Sequence, residues 1–160
     1  MAEIQTEKSE RAQKAMAYFL EGYNCSQAVV LAFEDLYDID RSVMLKLSSS
    51  FGGGMGRLRE VCGSISGMFM VAGLLYGYNQ PKAAEAKAKH YAVIQELAEQ
   101  FREQNGSIVC RELLGLKTKG ADAPTPEART AEYYKKRPCK ELVGMSAAIM
   151  ENYINTHPYQ

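Results

Sequence analysis

The sequence lacks a surplus of either charge: Lys and Arg total 19, Asp and Glu total 19, and the formal net charge is zero. With no dense Lys/Arg block, nucleic acid is excluded as a main partner. A long apolar run is also missing. The longest stretch, Gly67 to Tyr78, is too short to span a bilayer and carries several glycines, which argues against membrane insertion. The N-terminus, MAEIQTEKSERAQKA, is charged and has no apolar core, so it is no signal peptide and the chain reads as cytoplasmic. No segment alternates apolar and polar residues convincingly, which leaves an all-α protein. No serine–histidine–carboxylate arrangement and no Walker-type lysine is present. The four cysteines, Cys25, Cys62, Cys110 and Cys139, lie tens of residues apart, so neither C-x-x-C nor a zinc-ribbon spacing occurs.

Against these absences one stretch stands out, Phe51 to Gly77, FGGGMGRLREVCGSISGMFMVAGLLYG. Its cluster Gly52, Gly53, Gly54 and Gly56 marks positions that need positive φ or close backbone approach. Gly53, Gly54 and Gly63 are candidate cofactor-binding positions, because glycine-rich loops before helices expose N–H groups that can cradle an anion. From Cys62 to Gly77 the residues are almost wholly apolar, with small residues recurring at Gly63, Ser66, Gly67, Gly73 and Gly77. A helix apolar on all sides is a buried one. The expectation is one helical domain over residues 1–160, bundled around a buried central helix at about 62–77.

The rest of the chain reads as helices in series. Residues 6–21 place Ala12, Ala15, Met16, Phe19 and Leu20 on one face and close at Gly22. Asn24 caps a helix burying Cys25, Ala28, Val29, Ala32, Phe33 and Leu36. Asp38 or Asp40 caps a short helix with Val43, Met44 and Leu47 inward. Asn79-Gln80-Pro81 opens a long helix ending near Asn105-Gly106, with an inner stripe of Ala84, Tyr91, Ile94, Leu97, Ala98 and Phe101. His90 borders that stripe, as a packing residue or as a ligand or proton carrier. Lys117 to Glu127 is a loop, and a last helix runs from Cys139 to about Ile154.

All four cysteines therefore fall at or near helix starts. Cys110 in CRELLG and Cys139 in CKELVG share one order of thiol, cation, carboxylate, two aliphatics and glycine. Thiolates are stabilised at helix N-termini, and Cys62, preceded by Arg57 and Arg59, is expected to be the most thiolate-like. Such thiols suit disulfide exchange, and equally suit holding an iron–sulfur cluster or another thiophilic metal, by all four sulfurs or by three with His90. Inert cysteines buried as small apolar residues are the third alternative.

The stretches GYNCSQAV around Cys25 and FGGGMG followed by Cys62-Gly63-Ser64-Ile65-Ser66-Gly67, with the later single Cys110 and Cys139, resemble the C_GCAxxG_C_C family of redox-active proteins with four characteristic cysteines. The resemblance covers roughly residues 15–150. Alanine stands in the family motif where this chain has Ser64, whose hydroxyl can hydrogen-bond a thiolate or a cluster sulfide. The resemblance implies a redox role for Cys25, Cys62, Cys110 and Cys139 and no particular substrate. The redox partner, the cysteine pairing and the existence of a homo-oligomer stay open.

Overall fold

The computed structural model describes residues 3–159, and among them the chain is all-α. Ser9 caps α1 (Glu10–Glu21), its hydroxyl accepting from Ala12 N at 2.9 Å, and Gly22 ends it at φ 113°. That cap breaks the expected 6–21 helix, leaving Thr6–Lys8 as a separate tight turn. Asn24 opens α2 (Cys25–Leu31) with a complete capping box, exchanging hydrogen bonds with Gln27. The helix is short, so Phe33 and Leu36 follow it on a further turn at Glu34–Leu36.

Asp40, rather than Asp38, caps α3 (Arg41–Ser49). Met44 and Ser48 form its buried stripe, while Val43 and Leu47 are 48% and 59% exposed, against expectation. A nine-residue helix carrying two adjacent i,i+4 stripes can turn either inward, and packing against α2 selects Met44. One turn, α4 (Gly52–Met55), leads towards α5 (Gly63–Tyr76). Then come α6 (Ala84–Asn105), α7 (Cys110–Leu113), α8 (Ala131–Lys136) and α9 (Cys139–Thr156). Lys117–Glu127 lies outside any helix, as expected of a loop.

The core forms where α1, α2, α5 and α9 pack on one another. Glycine stands at two close crossings, with backbone opposite it at the first and the flexible Met16 side chain at the second. A Cβ on Gly67 of α5 would meet Ser26 O of α2 at 2.7 Å, and one on Gly144 of α9 would meet Met16 Sδ of α1 at 2.8 Å. Burial along α5 is uneven: Gly63 to Met68 are buried, whereas Leu74 is 40% exposed. Leu20 and Tyr91, expected on inner faces, are both 52% exposed. Long α6 buries only Leu97, Ala98 and Phe101, so most of its length lies on the surface. Polar ties fasten α1 to α9: Glu151 Oε2 accepts from Ser9 Oγ at 2.6 Å and from Arg11 N at 2.8 Å.

Candidate functional site

The glycine cluster adopts a left-handed path. Gly53, Gly54, Met55, Gly56 and Arg57 run consecutively at φ between 63° and 70°, and Arg59 follows at 63°. For L-residues that conformation costs roughly 1–2 kcal/mol each, so glycine at three of these positions limits the strain. The reversal is held by Arg59 N→Gly53 O at 3.3 Å and Glu60 N→Gly54 O at 3.0 Å. It delivers residues 59–62 alongside residues 108–111, where Val61 and Val109 make an isolated antiparallel bridge. Cys62 N donates to Ile108 O at 2.9 Å and Cys110 N to Glu60 O at 2.6 Å. Two cysteines distant in sequence are thereby set on one short pair of backbones.

Tight packing completes the arrangement. A Cβ on Gly54 would lie 2.6 Å from Cys110 Cβ, and one on Gly63 would lie 2.7 Å from Phe51 O and 3.1 Å from Cys25 Cβ. Gly53 faces the Arg57 side chain at 2.9 Å. Backbone atoms occupy the space that side chains at Gly54 and Gly63 would need, and Gly53 sits at φ 70°, so packing and backbone conformation account for glycine at these three positions. All three nevertheless line the wall of one cavity, of about 330 Å³.

Cys25, Cys62, Cys110 and Cys139 all line that cavity. Cys25, Cys110 and Cys139 are the first residues of α2, α7 and α9, and Cys62 is the N-cap of α5. Cys62 and Cys110 are buried, Cys25 and Cys139 half-buried, and all four are free thiols. His90 is not in the wall; its ring lies 6.1 Å from that of Tyr78, edge to face.

The thiols differ in their surroundings. Burial pushes Cys62 up to about 11, against the opposing hydrogen bond from Ser64, whose Oγ is 3.2 Å from its Sγ. Ser146 Oγ donates to Ser64 Oγ at 2.9 Å, leaving the Ser64 proton for the sulfur. Burial raises Cys110 as well, opposed by Arg59, whose Nη1 donates to its Sγ at 3.7 Å. Cys25 is raised well above the ordinary thiol value, because its proton is held towards Cys139 and because it is desolvated. Cys139 alone is lowered, to about 7: it accepts from Cys25 and, against its own desolvation, from the Tyr133 hydroxyl, beside the charges of Arg137 and Arg59.

The expectation that Cys62 is the most thiolate-like is therefore overturned in favour of Cys139. The arginines preceding Cys62 are directed elsewhere. Arg59 Nε donates to Asp122 at 2.8 Å, and Arg57 Nε donates to Ala123 O at 2.6 Å. Without them, burial outweighs the helix-terminus field at Cys62. Tyr133, Arg129, Arg137 and Asp122 were not singled out from the sequence. The only local signal was Arg137, two residues before Cys139.

The metal and cluster reading requires several donors aimed at one point. Among the described residues no group of three or more His, Cys, Asp and Glu side chains is arranged to hold a metal ion. In this arrangement Cys110 takes its hydrogen bond from Arg59, and Cys62 lies within hydrogen-bond distance of Ser64, so these sulfurs serve neighbouring protein groups.

A helical protein whose four separated thiols meet one cavity at helix starts belongs to the class of cysteine-centred proteins. The family model described as "Putative redox-active protein (C_GCAxxG_C_C)" matches residues 23–153, and the chain belongs to that family. Neither the curated proteins nor the solved structures contain a match to it. Among the described residues no helix is long and apolar enough to cross a membrane.

Proposed function

We propose that the protein is a dithiol–disulfide redox protein whose exchanging pair is Cys139 and Cys25. The observation that carries this reading is that Cys25 and Cys139, the first residues of α2 and α9, line one cavity together with Tyr133 and Arg137; there each thiol shifts the other, Cys25 upward and Cys139 down to about 7. An attacking thiol works best when its pKa lies near ambient pH, where it is largely ionised yet still nucleophilic. Cys139 is the attacking thiolate. It opens a substrate disulfide and becomes a mixed disulfide; Cys25, giving up its proton, then attacks Cys139 Sγ and closes the protein disulfide. Tyr133 and Arg137 support the charge on Cys139. Cys62 and Cys110, both raised by burial, stay protonated at neutral pH and stand as a reserve pair in the same cavity.

The test is peptide mapping of oxygen-free protein treated with one equivalent of a small disulfide. A Cys25–Cys139 linkage is expected, and Cys25→Ser should trap the mixed disulfide on Cys139. Protein purified without oxygen that instead shows cluster absorption, stoichiometric metal and no such linkage would replace this reading with the metal-binding one.

A further inference from the structure

The cavity around the cysteines is lined by Arg57, Arg59, Arg129 and Arg137, and among the described residues Glu127 is the only carboxylate in its wall. From behind, Asp122 serves Arg59 at 2.8 Å and Arg57 at 3.9 Å, one carboxylate shared by two guanidinium groups. Arg137 pairs with Glu127 at 2.6 Å. Arg129 has no carboxylate partner among the described residues. It donates to the carbonyls of Phe19 and Tyr23 and lies over the Phe19 ring, 3.9 Å from its centroid. Four cations thus face two carboxylates, and a positive charge remains even after the Cys139 thiolate is counted. Uncompensated charge in a concave wall concentrates ions of the opposite sign. The cavity, at about 330 Å³, is at the lower end of the size range of small-ligand pockets, roughly 300–1,000 Å³. Its thiols are half-buried or buried at the wall, a setting that favours a small disulfide over one held on another folded protein's surface.

We propose that the oxidant of the Cys25–Cys139 pair is a small anionic disulfide, a low-molecular-weight thiol dimer bearing carboxylates that the cavity arginines hold. This rests on the redox reading above and adds the substrate class. The step balances: Cys139–S⁻ attacks one sulfur of R–S–S–R, the S–S bond breaks, and R–S⁻ leaves and takes the proton of Cys25. The Cys25 thiolate then attacks Cys139 Sγ, forming the protein disulfide and releasing the second R–S⁻. Two protein thiols are oxidised and one small disulfide is reduced to two thiols.

The experiment compares three small disulfides with the reduced protein at low salt: dithiodiglycolate, a dianion; hydroxyethyl disulfide, neutral; and cystamine, a dication. Each rate is divided by the rate of the same disulfide with 2-mercaptoethanol, to remove intrinsic reactivity. The normalised rate should be about tenfold higher for the dianion than for the neutral compound and lowest for the dication, and 1 M salt should abolish the difference. Arg129→Gln removes the charge while leaving a polar, uncharged side chain at the position. In that variant the dianion-to-neutral ratio should fall severalfold, and the ratio in one preparation is insensitive to a partial loss of folded protein. Normalised rates independent of charge, or an anion preference untouched by both salt and Arg129→Gln, overturn the proposal while leaving the redox reading standing. If the neutral compound too gives no Cys25–Cys139 disulfide, both fall.

Discussion

Gly54→Ala is the substitution that most directly tests how the left-handed turn builds the site. Gly54 sits at φ 69°, ψ 55°, so alanine there incurs roughly 1 kcal/mol of conformational strain. Its Cβ would also lie 2.6 Å from Cys110 Cβ and 2.9 Å from both Arg59 Cα and Glu60 N. Two of those three atoms are backbone, held by Glu60 N→Gly54 O and by Cys110 N→Glu60 O, so none can move aside cheaply. Overpacking of this kind costs typically 1–3 kcal/mol, which brings the total to about 2–4 kcal/mol. Gly56→Ala is the matched control: its φ is 63°, but the nearest atom to its Cβ is Ser50 O at 3.8 Å, so only the strain of about 1 kcal/mol applies. Urea denaturation of the reduced variants, followed by circular dichroism at 222 nm, measures both. In folded Gly54→Ala, Cys110 should also be alkylated faster, because its hydrogen bond from Arg59 depends on this register. Equal losses from the two substitutions, or a Gly54→Ala cost below about 0.5 kcal/mol, would refute the close-approach account.

Three further outcomes are expected. The alkylation rate of Cys139, in a variant with Cys62 and Cys110 replaced by serine, should rise with pH through a midpoint near 7, and Tyr133→Phe should move that midpoint upward; iodoacetamide kinetics against pH, with the labelled cysteine identified by peptide mapping, measure it. Cys62, raised in the folded state to about 11 from an unfolded thiol value near 8.5, contributes stability that is complete below about pH 8.5 and is lost as pH rises towards 11. The stability difference between the native protein and Cys62→Ala, from denaturation at several pH values, should therefore shrink by about 3 kcal/mol across that window, and a flat difference would contradict the burial of the thiol. Finally, Gly67→Ala should destabilise by about 1–3 kcal/mol through its clash with Ser26 O, whereas Gly73→Ala, in the same helix with no atom within 4 Å of its Cβ, should stabilise by about 0.5–1 kcal/mol in thermal or urea melts.

What the sequence by itself determined is local. The Asn24–Gln27 box, Asp40, Gly22 and Gly106 set helix ends through interactions spanning a few residues; the box places Cys25 at a helix start, and Pro138 does the same for Cys139, without reference to the rest of the chain. The need for positive φ in the glycine cluster was legible for the same reason. Family membership was also legible, because GYNCSQAV, FGGGMG and CGSISG are contiguous strings. Only the tertiary structure decided which face of α3 turns inward, because the partner helix seats Met44 and Ser48 although Val43 and Leu47 form the more apolar stripe. It alone decided that Arg59 reaches Cys110 and Asp122 instead of Cys62, and that Cys139 stands beside Cys25 and Tyr133. The ionisation of a thiol is a balance between desolvation and nearby donors and charges. Those neighbours come from segments tens of residues away, so a helix-start position predicts where a cysteine lies but not which cysteine carries the charge.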